Sequence, residues 1–165
     1  KANLYKIKLG DINYIATARG KFKNDSFTPV VGDIAEFSIV DENKKTAVIE
    51  SVKERVSYIK RPKLANINQI VFVVSSKHPK PDLLLLDKQL AFAEFLHIKP
   101  VIVLNKIDLD DKHEFLNIQK IYEEIGYKVI QTDAKNGIGI EEILLELKNN
   151  ISAFAGNSEL ESLRL

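Results

Sequence analysis

The chain has 165 residues, with 45% hydrophobic residues, 28% charged residues and a formal net charge of +1. That balance excludes a disordered chain, and no apolar run reaches the roughly 20 residues a membrane-spanning helix needs. Cysteine is absent, which excludes disulfides and thiolate metal sites in these residues. A soluble cytoplasmic protein with no membrane partner is the expectation. Methionine is also absent, even at position 1, so the chain is expected to be part of a longer gene product.

The small net charge conceals an asymmetry. Residues 1–65 carry 13 Lys and Arg against 8 Asp and Glu, and residues 66–165 carry 11 against 15. The first part has the electrostatic character of a weak nucleic-acid binder, and the second does not.

Residues 1–63 read as short strands between turns. Leu4 to Leu9 alternates apolar and polar and turns at Gly10-Asp11. A second strand is expected from Ile12 to Arg19, a third from Ile34 to Val40, and a fourth from Thr46 to Val56, with Asp41–Lys44 as a turn. Closely spaced strands of period two predict a small all-β barrel. An OB-fold suits the basic edges, and an SH3-like barrel shares nearly the same pattern.

From Asn66 the pattern changes. Ile70–Val74 and Val101–Leu104 are continuous β-branched and aliphatic runs, as strands buried on both faces require. Between and after them, helices are expected over Leu83–Leu96, His113–Ile125 and Ile140–Asn149, with strands over Tyr127–Gln131 and Ile151–Ala155. Leu83, Leu86, Leu90 and Ala93 are expected to form the buried stripe of the first helix. His78 and His97 are expected to face solvent or to cap. Strand–helix alternation of this kind predicts a mostly parallel α/β sheet, and the boundary between the two parts falls near Lys60–Asn66. The expected domains are 1–63 and 64–165.

Three segments carry chemistry, each at the end of an expected strand, where open α/β sheets bind ligands. The first is Asn105-Lys106-Ile107-Asp108, which resembles the guanine-specificity motif of GTPases. Asp108 can accept hydrogen bonds from guanine N1–H and the 2-amino group, a donor pair adenine lacks, while the Lys106 stem lies along the ring and Asn105 ties loops together. The second is Gln131-Thr132-Asp133-Ala134-Lys135-Asn136-Gly137. It resembles the Ser-Ala-Lys loop of GTPases, with Asp133 in the usual place of serine; the Ala134 N–H is expected to meet the guanine carbonyl oxygen, with Lys135 beside it. The third, Gly156-Asn157-Ser158, looks like the opening of a phosphate-binding loop, yet Glu159–Leu165 follows without Gly-Lys-Ser.

In ordinary GTPases the phosphate loop comes first, whereas here it comes last. That permuted order behind a β-barrel resembles the RsgA (YjeQ) family of ribosome small-subunit-dependent GTPases. Further matching segments are Arg19-Gly20-Lys21-Phe22, Val31-Gly32-Asp33, Ile49–Val52, Arg61-Pro62 with Ala65–Gln69, Leu85–Lys88 and Ile125-Gly126-Tyr127. The resemblance implies an OB-fold followed by a circularly permuted, P-loop-type GTPase domain, here apparently incomplete. It implies GTP hydrolysis coupled to late maturation of the small ribosomal subunit, with Mg²⁺ accompanying GTP and Zn²⁺ in a C-terminal domain absent from this chain. The protein is then expected to be a monomer. No catalytic residue and no metal ligand is assigned in this chain. Arg19, Lys21, Lys60, Arg61 and Lys63 are the candidates for contact with ribosomal RNA. The alternatives are an RNA-binding module whose G-like domain no longer binds nucleotide, and a barrel joined to an unrelated α/β enzyme.

Overall fold

The computed structural model describes residues 3–19, 28–112 and 114–156. Its contacts divide the chain into two units, Lys1–Ile59 with Lys63–Asn66, and Lys60–Pro62 with Ile67–Leu165.

The first unit is built on a four-stranded sheet in the order β1–β2–β4–β3, from β1 (Leu4–Leu9), β2 (Ile12–Ala18), β3 (Ala35–Asp41) and β4 (Thr46–Val52). Strands β1 and β2 form an antiparallel hairpin across Gly10, while β2 runs parallel to β4. Alternation sets which side chains turn inward: Tyr14, Ala16, Ala47 and Ile49 are buried, with Tyr5, Ile7, Phe37 and Val52 packed against them. Lys6 and Lys8 therefore point outward from the same strand that buries Tyr5 and Ile7.

The strand expected to reach Val56 stops at Val52. Beyond it the chain turns so that Arg55 Nε lies 2.7 Å from Asp33 Oδ1 and an Arg55 amino nitrogen lies 2.8 Å from Asp33 Oδ2. That fork-to-fork pair is largely buried, with side-chain exposures of 11% and 4%, and the carboxylate raises the already high pKa of the guanidinium. Asp33 also accepts the Val30 N–H at 2.7 Å. Next to it Gly32 has φ +91°, and a Cβ there would lie 2.0 Å from the carbonyl oxygen of Ala65. Only glycine permits this approach, and it draws the 30–33 segment against β6 (Lys63–Ala65), where Ala65 N–H donates to Val31 O. Strands β5 (Tyr58–Lys60) and β6 form a two-stranded sheet.

The second unit holds a four-stranded parallel sheet in the order β10–β7–β8–β9. Its strands are β7 (Gln69–Ser75), β8 (Lys99–Asn105), β9 (Lys128–Thr132) and β10 (Ser152–Gly156), joined by helices α1 (Leu83–Phe95), α2 (Glu114–Ile125) and α3 (Ile140–Leu147). The connections β7–α1–β8 and β8–α2–β9 step the same way across the sheet, so right-handed crossover places both helices on one face. The connection through α3 steps back to the far edge and places it on the other. Accordingly, Ile143 and Leu147 of α3 pack on Val71, Val101, Val103 and Ile130. Helix α1 begins at Asp82, whose side chain caps the Leu85 N–H at 2.9 Å. It buries Leu86, Leu90 and Ala93, but Leu83 is 36% exposed. Leu83 occupies the first helical position. His78 and His97 are both exposed.

The Arg55–Asp33 pair yields a stability prediction. Arg55→Ala leaves a buried carboxylate with one remaining backbone donor and is expected to destabilise the protein by about 3–5 kcal/mol. Urea unfolding measures it, and a loss below about 1 kcal/mol would show that the pair is dispensable.

Candidate guanine-nucleotide site

Parallel register brings the strand ends together. Ser75, Asn105 and Thr132, the last residues of β7, β8 and β9, are paired in one transverse row. The Asn105–Asp108 and Asp133–Gly137 segments leave the sheet side by side from this row.

Asn105 joins them. Its Oδ1 accepts the Thr132 hydroxyl at 3.1 Å and the Ala134 backbone N–H at 3.2 Å. Lys106 follows in the left-handed region, φ +64° and ψ +45°, which is uncommon for a residue with a side chain and occurs where surrounding contacts enforce it. Those contacts are present. The Lys106 carbonyl accepts the Ser76 hydroxyl at 2.6 Å, and its Nζ donates to the carbonyls of His78 at 2.9 Å and Lys77 at 3.3 Å. The backbone reversal at Lys106 starts a one-turn 3-10 helix, Ile107–Leu109, which carries Asp108. Asp108 is exposed, and its carboxylate makes no hydrogen bond or ion pair among the described residues. Asp110, two residues on, is spent as the cap of α2, accepting the Glu114 and Phe115 N–H groups at 3.0 and 2.9 Å. Of these two neighbouring carboxylates, Asp110 is used in the fold and Asp108 is exposed.

The second loop is equally organised. Asp133 and Ile138 exchange backbone hydrogen bonds of 3.1 and 3.0 Å, closing the residues between them into a tight loop. The Asp133 side chain is buried, with the residue 3% exposed, and it turns toward Asn136 rather than outward. Ala134 and Lys135 are exposed, and Lys135 has no ion pair among the described residues. Gly139 closes the loop against β9: at φ +77° a Cβ would lie 2.3 Å from the carbonyl oxygen of Gln131.

Gly156 ends β10 opposite Val73, two residues short of the Ser75–Asn105–Thr132 row. Asn157 and Ser158, expected to continue the phosphate loop, lie outside the described residues, as does Lys21. Of the other basic candidates, Arg19 is engaged with Glu50 at 2.7 Å. Lys60, Arg61 and Lys63 are exposed and form no ion pair among the described residues. The nucleotide candidates Asn105, Lys106, Asp108, Asp133, Ala134 and Lys135 therefore converge on one edge of one sheet.

Sequence reasoning passed over several supporting groups: Ser76, the carbonyls of Lys77 and His78, Asn136 and Gly139. Their only signal was position, because each flanks a strand end on the edge where Asn105 sits. A cleft of about 280 Å³ lies beside the site, lined among others by Ser76, Lys77, Lys80, Asp110, Asp111 and Lys112. Within it Lys77 pairs with Asp111 and holds that carboxyl below the usual aspartate range.

A parallel sheet whose final strand lies beside its first, with guanine-type loops on the two strands beyond, defines a circularly permuted GTPase fold behind an OB-type barrel. Comparison with known proteins agrees in both parts. Residues 52–160 match the family model described as RsgA GTPase, and residues 2–49 match the RsgA N-terminal domain. The chain belongs to the RsgA GTPase family. It is 41% identical over 141 residues to the small ribosomal subunit biogenesis GTPase RsgA of Caldanaerobacter subterraneus subsp. tengcongensis, covering 86% of this chain and 47% of that protein. With the protein of the same name from Alkaliphilus metalliredigens the identity is 36% over 157 residues, covering 95% and 54%. Among solved structures, YjeQ from Thermotoga maritima matches with a TM-score of 0.83 and 31% identity, over 97% of this chain and 58% of that one. YloQ, a circularly permuted GTPase, matches at 0.79 and 28%, over 95% and 57%. The chain spans about half the length of the curated relatives it matches.

Proposed function

We propose that this protein binds guanine nucleotide at the Asn105–Thr132 edge and, at full length, hydrolyses GTP as a maturation factor of the small ribosomal subunit. The observation that carries this is the pairing of an unpartnered Asp108 carboxylate with a neighbouring loop locked to it through Asn105. Asp108 takes the N1–H and 2-amino donors of guanine. The Ala134 N–H, whose 3.2 Å bond to Asn105 is at the long end for N–H···O, is shared with the guanine carbonyl oxygen. Adenine presents an amino group to that N–H and no N1–H to Asp108, so it leaves both unpaired, a penalty large enough to discriminate. The Lys106 stem covers one ring face, and Lys135 borders the other loop. Gly156, Asn157 and Ser158 resemble the opening of a phosphate loop, and the phosphate chemistry is assigned to the full-length protein.

The described residues contain no cluster of His, Asp and Glu able to hold a metal ion. The reading includes Mg²⁺ accompanying GTP and Zn²⁺ in a C-terminal domain of the full-length protein, on the family resemblance alone. The same reading takes the protein as a cytoplasmic monomer; no described helix is long and apolar enough to cross a membrane.

Contact with ribosomal RNA is assigned to the first part of the chain and its junction. Lys60, Arg61 and Lys63, three exposed cations within four residues, are the strongest candidates, because side chains with no ion pair among the described residues can neutralise phosphates at little cost. Arg19 contributes only if it leaves Glu50, and Lys21 completes the set.

Two measurements test these assignments. In the full-length protein, Asp108→Asn reverses the donor–acceptor match and is expected to shift preference from GTP toward xanthosine triphosphate; a variant that still selects GTP removes Asp108 from base recognition. For RNA, replacing Lys60, Arg61 and Lys63 together by Ala should weaken binding to small subunits more at low salt than at high salt. The slope of log affinity against log salt is expected to become shallower by about 2–3, and an unchanged slope means that these side chains do not meet phosphate.

A further inference from the structure

We infer that Asp133 is a positioning residue: it sets guanine recognition through the loop it closes, without touching the nucleotide. The inference rests on the guanine-site reading above and assigns the acidic residue that stands where the family's loop ordinarily carries serine.

A carboxylate that is 97% removed from solvent is costly unless its oxygens are satisfied. Both oxygens of Asp133 are satisfied by one residue. Oδ1 accepts the Asn136 backbone N–H at 3.1 Å, and Oδ2 accepts the Asn136 side-chain amide. The Asp133 carbonyl accepts the same backbone N–H at 3.2 Å. A serine hydroxyl can accept the Asn136 N–H, but its single oxygen spans the backbone and side chain of Asn136 less well than the two carboxylate oxygens do. The carboxylate adds a charge-assisted bond to a turn that is otherwise backbone alone.

The consequence falls on Ala134. Its N–H belongs to the peptide plane that Asp133 carries, so fixing the backbone of Asp133 fixes where that N–H points. The clamp has two anchors, the Asp133–Ile138 backbone exchange at its base and the Asp133–Asn136 contacts at its turn. Between them Ala134 is exposed, 3.2 Å from Asn105 Oδ1. Buried and turned toward Asn136, the Asp133 carboxylate is withheld from the base. Its influence is therefore confined to the carbonyl edge of guanine and does not extend to the edge read by Asp108.

That confinement is measurable in the full-length protein. GDP is compared with 6-thio-GDP, which keeps N1–H and the 2-amino group but presents sulfur, a weak acceptor, in place of the carbonyl oxygen. Wild type is expected to prefer GDP. Asp133→Ala is expected to weaken GDP binding about tenfold, equivalent to one good hydrogen bond, with little change for 6-thio-GDP, so the preference collapses. Asp133→Ser and Asp133→Asn, each leaving an acceptor for the Asn136 N–H, should recover most of it. If Asp133→Ala does not fold, Asn136→Ala at the exposed end of the same contact must reduce the preference instead. Equal weakening of both nucleotides, no weakening of GDP, or no recovery in the Ser and Asn variants overturns the role of Asp133. A wild type that holds ADP as well as GDP overturns the guanine site itself and this inference with it; guanine preference with unresponsive variants overturns only the inference.

Discussion

The parallel pairing of β7, β8 and β9 is the constraint on which the proposed site depends. Each strand of a parallel sheet must be followed by a crossover, so every strand ends on the same edge, and register decides which residues meet there. In this chain the row is Ser75, Asn105 and Thr132. The Asn105 amide then reaches sideways to Thr132 and Ala134, while Ser76 and the Lys77–His78 carbonyls hold Lys106 from the other side. A slip of one residue in β8 would turn Asn105 to the opposite face and break every one of these contacts.

The permutation follows from the same sheet. Strand β10 is the last of the described strands yet lies beside β7, the first described strand of the unit. Phe154 shares a register row with Val71 on the α3 face and is 55% exposed, while Val71 is 1% exposed. Strand β10 is thus an edge strand among the described residues, and cover falls off sharply from β7 to this edge.

Much of this was legible in the sequence. Continuous runs such as Ile70–Val74 and Val101–Leu104 announce strands buried on both faces, and the structure places both at the centre of the sheet. The Asn105-Lys106-Ile107-Asp108 segment was readable because a buried strand directly precedes it. Other features depend on contacts that no local pattern encodes. Thr46–Val56 reads as one strand, but the long-range Asp33–Arg55 pair bends the chain away after Val52. Leu83 has the right spacing for the core yet is 36% exposed, at the first position of the helix, while Leu86 one turn on is buried. Asp133 reads in sequence only as a substitute for the usual serine, and the loop closure by Ile138 and Asn136 that buries it has no local signal. The left-handed backbone at Lys106 gives no sequence signal, since lysine rarely adopts it.

Hydrogen–deuterium exchange of the full-length protein with GDP, with ADP and without nucleotide tests the central claim most directly, because it reads both proposed loops at once. The expected result is slowed exchange over 105–110 and 132–138 with GDP, and exchange close to the nucleotide-free rate with ADP. Equal protection by the two nucleotides, or protection by GDP confined to other segments, would contradict a guanine site at the Asn105–Thr132 edge.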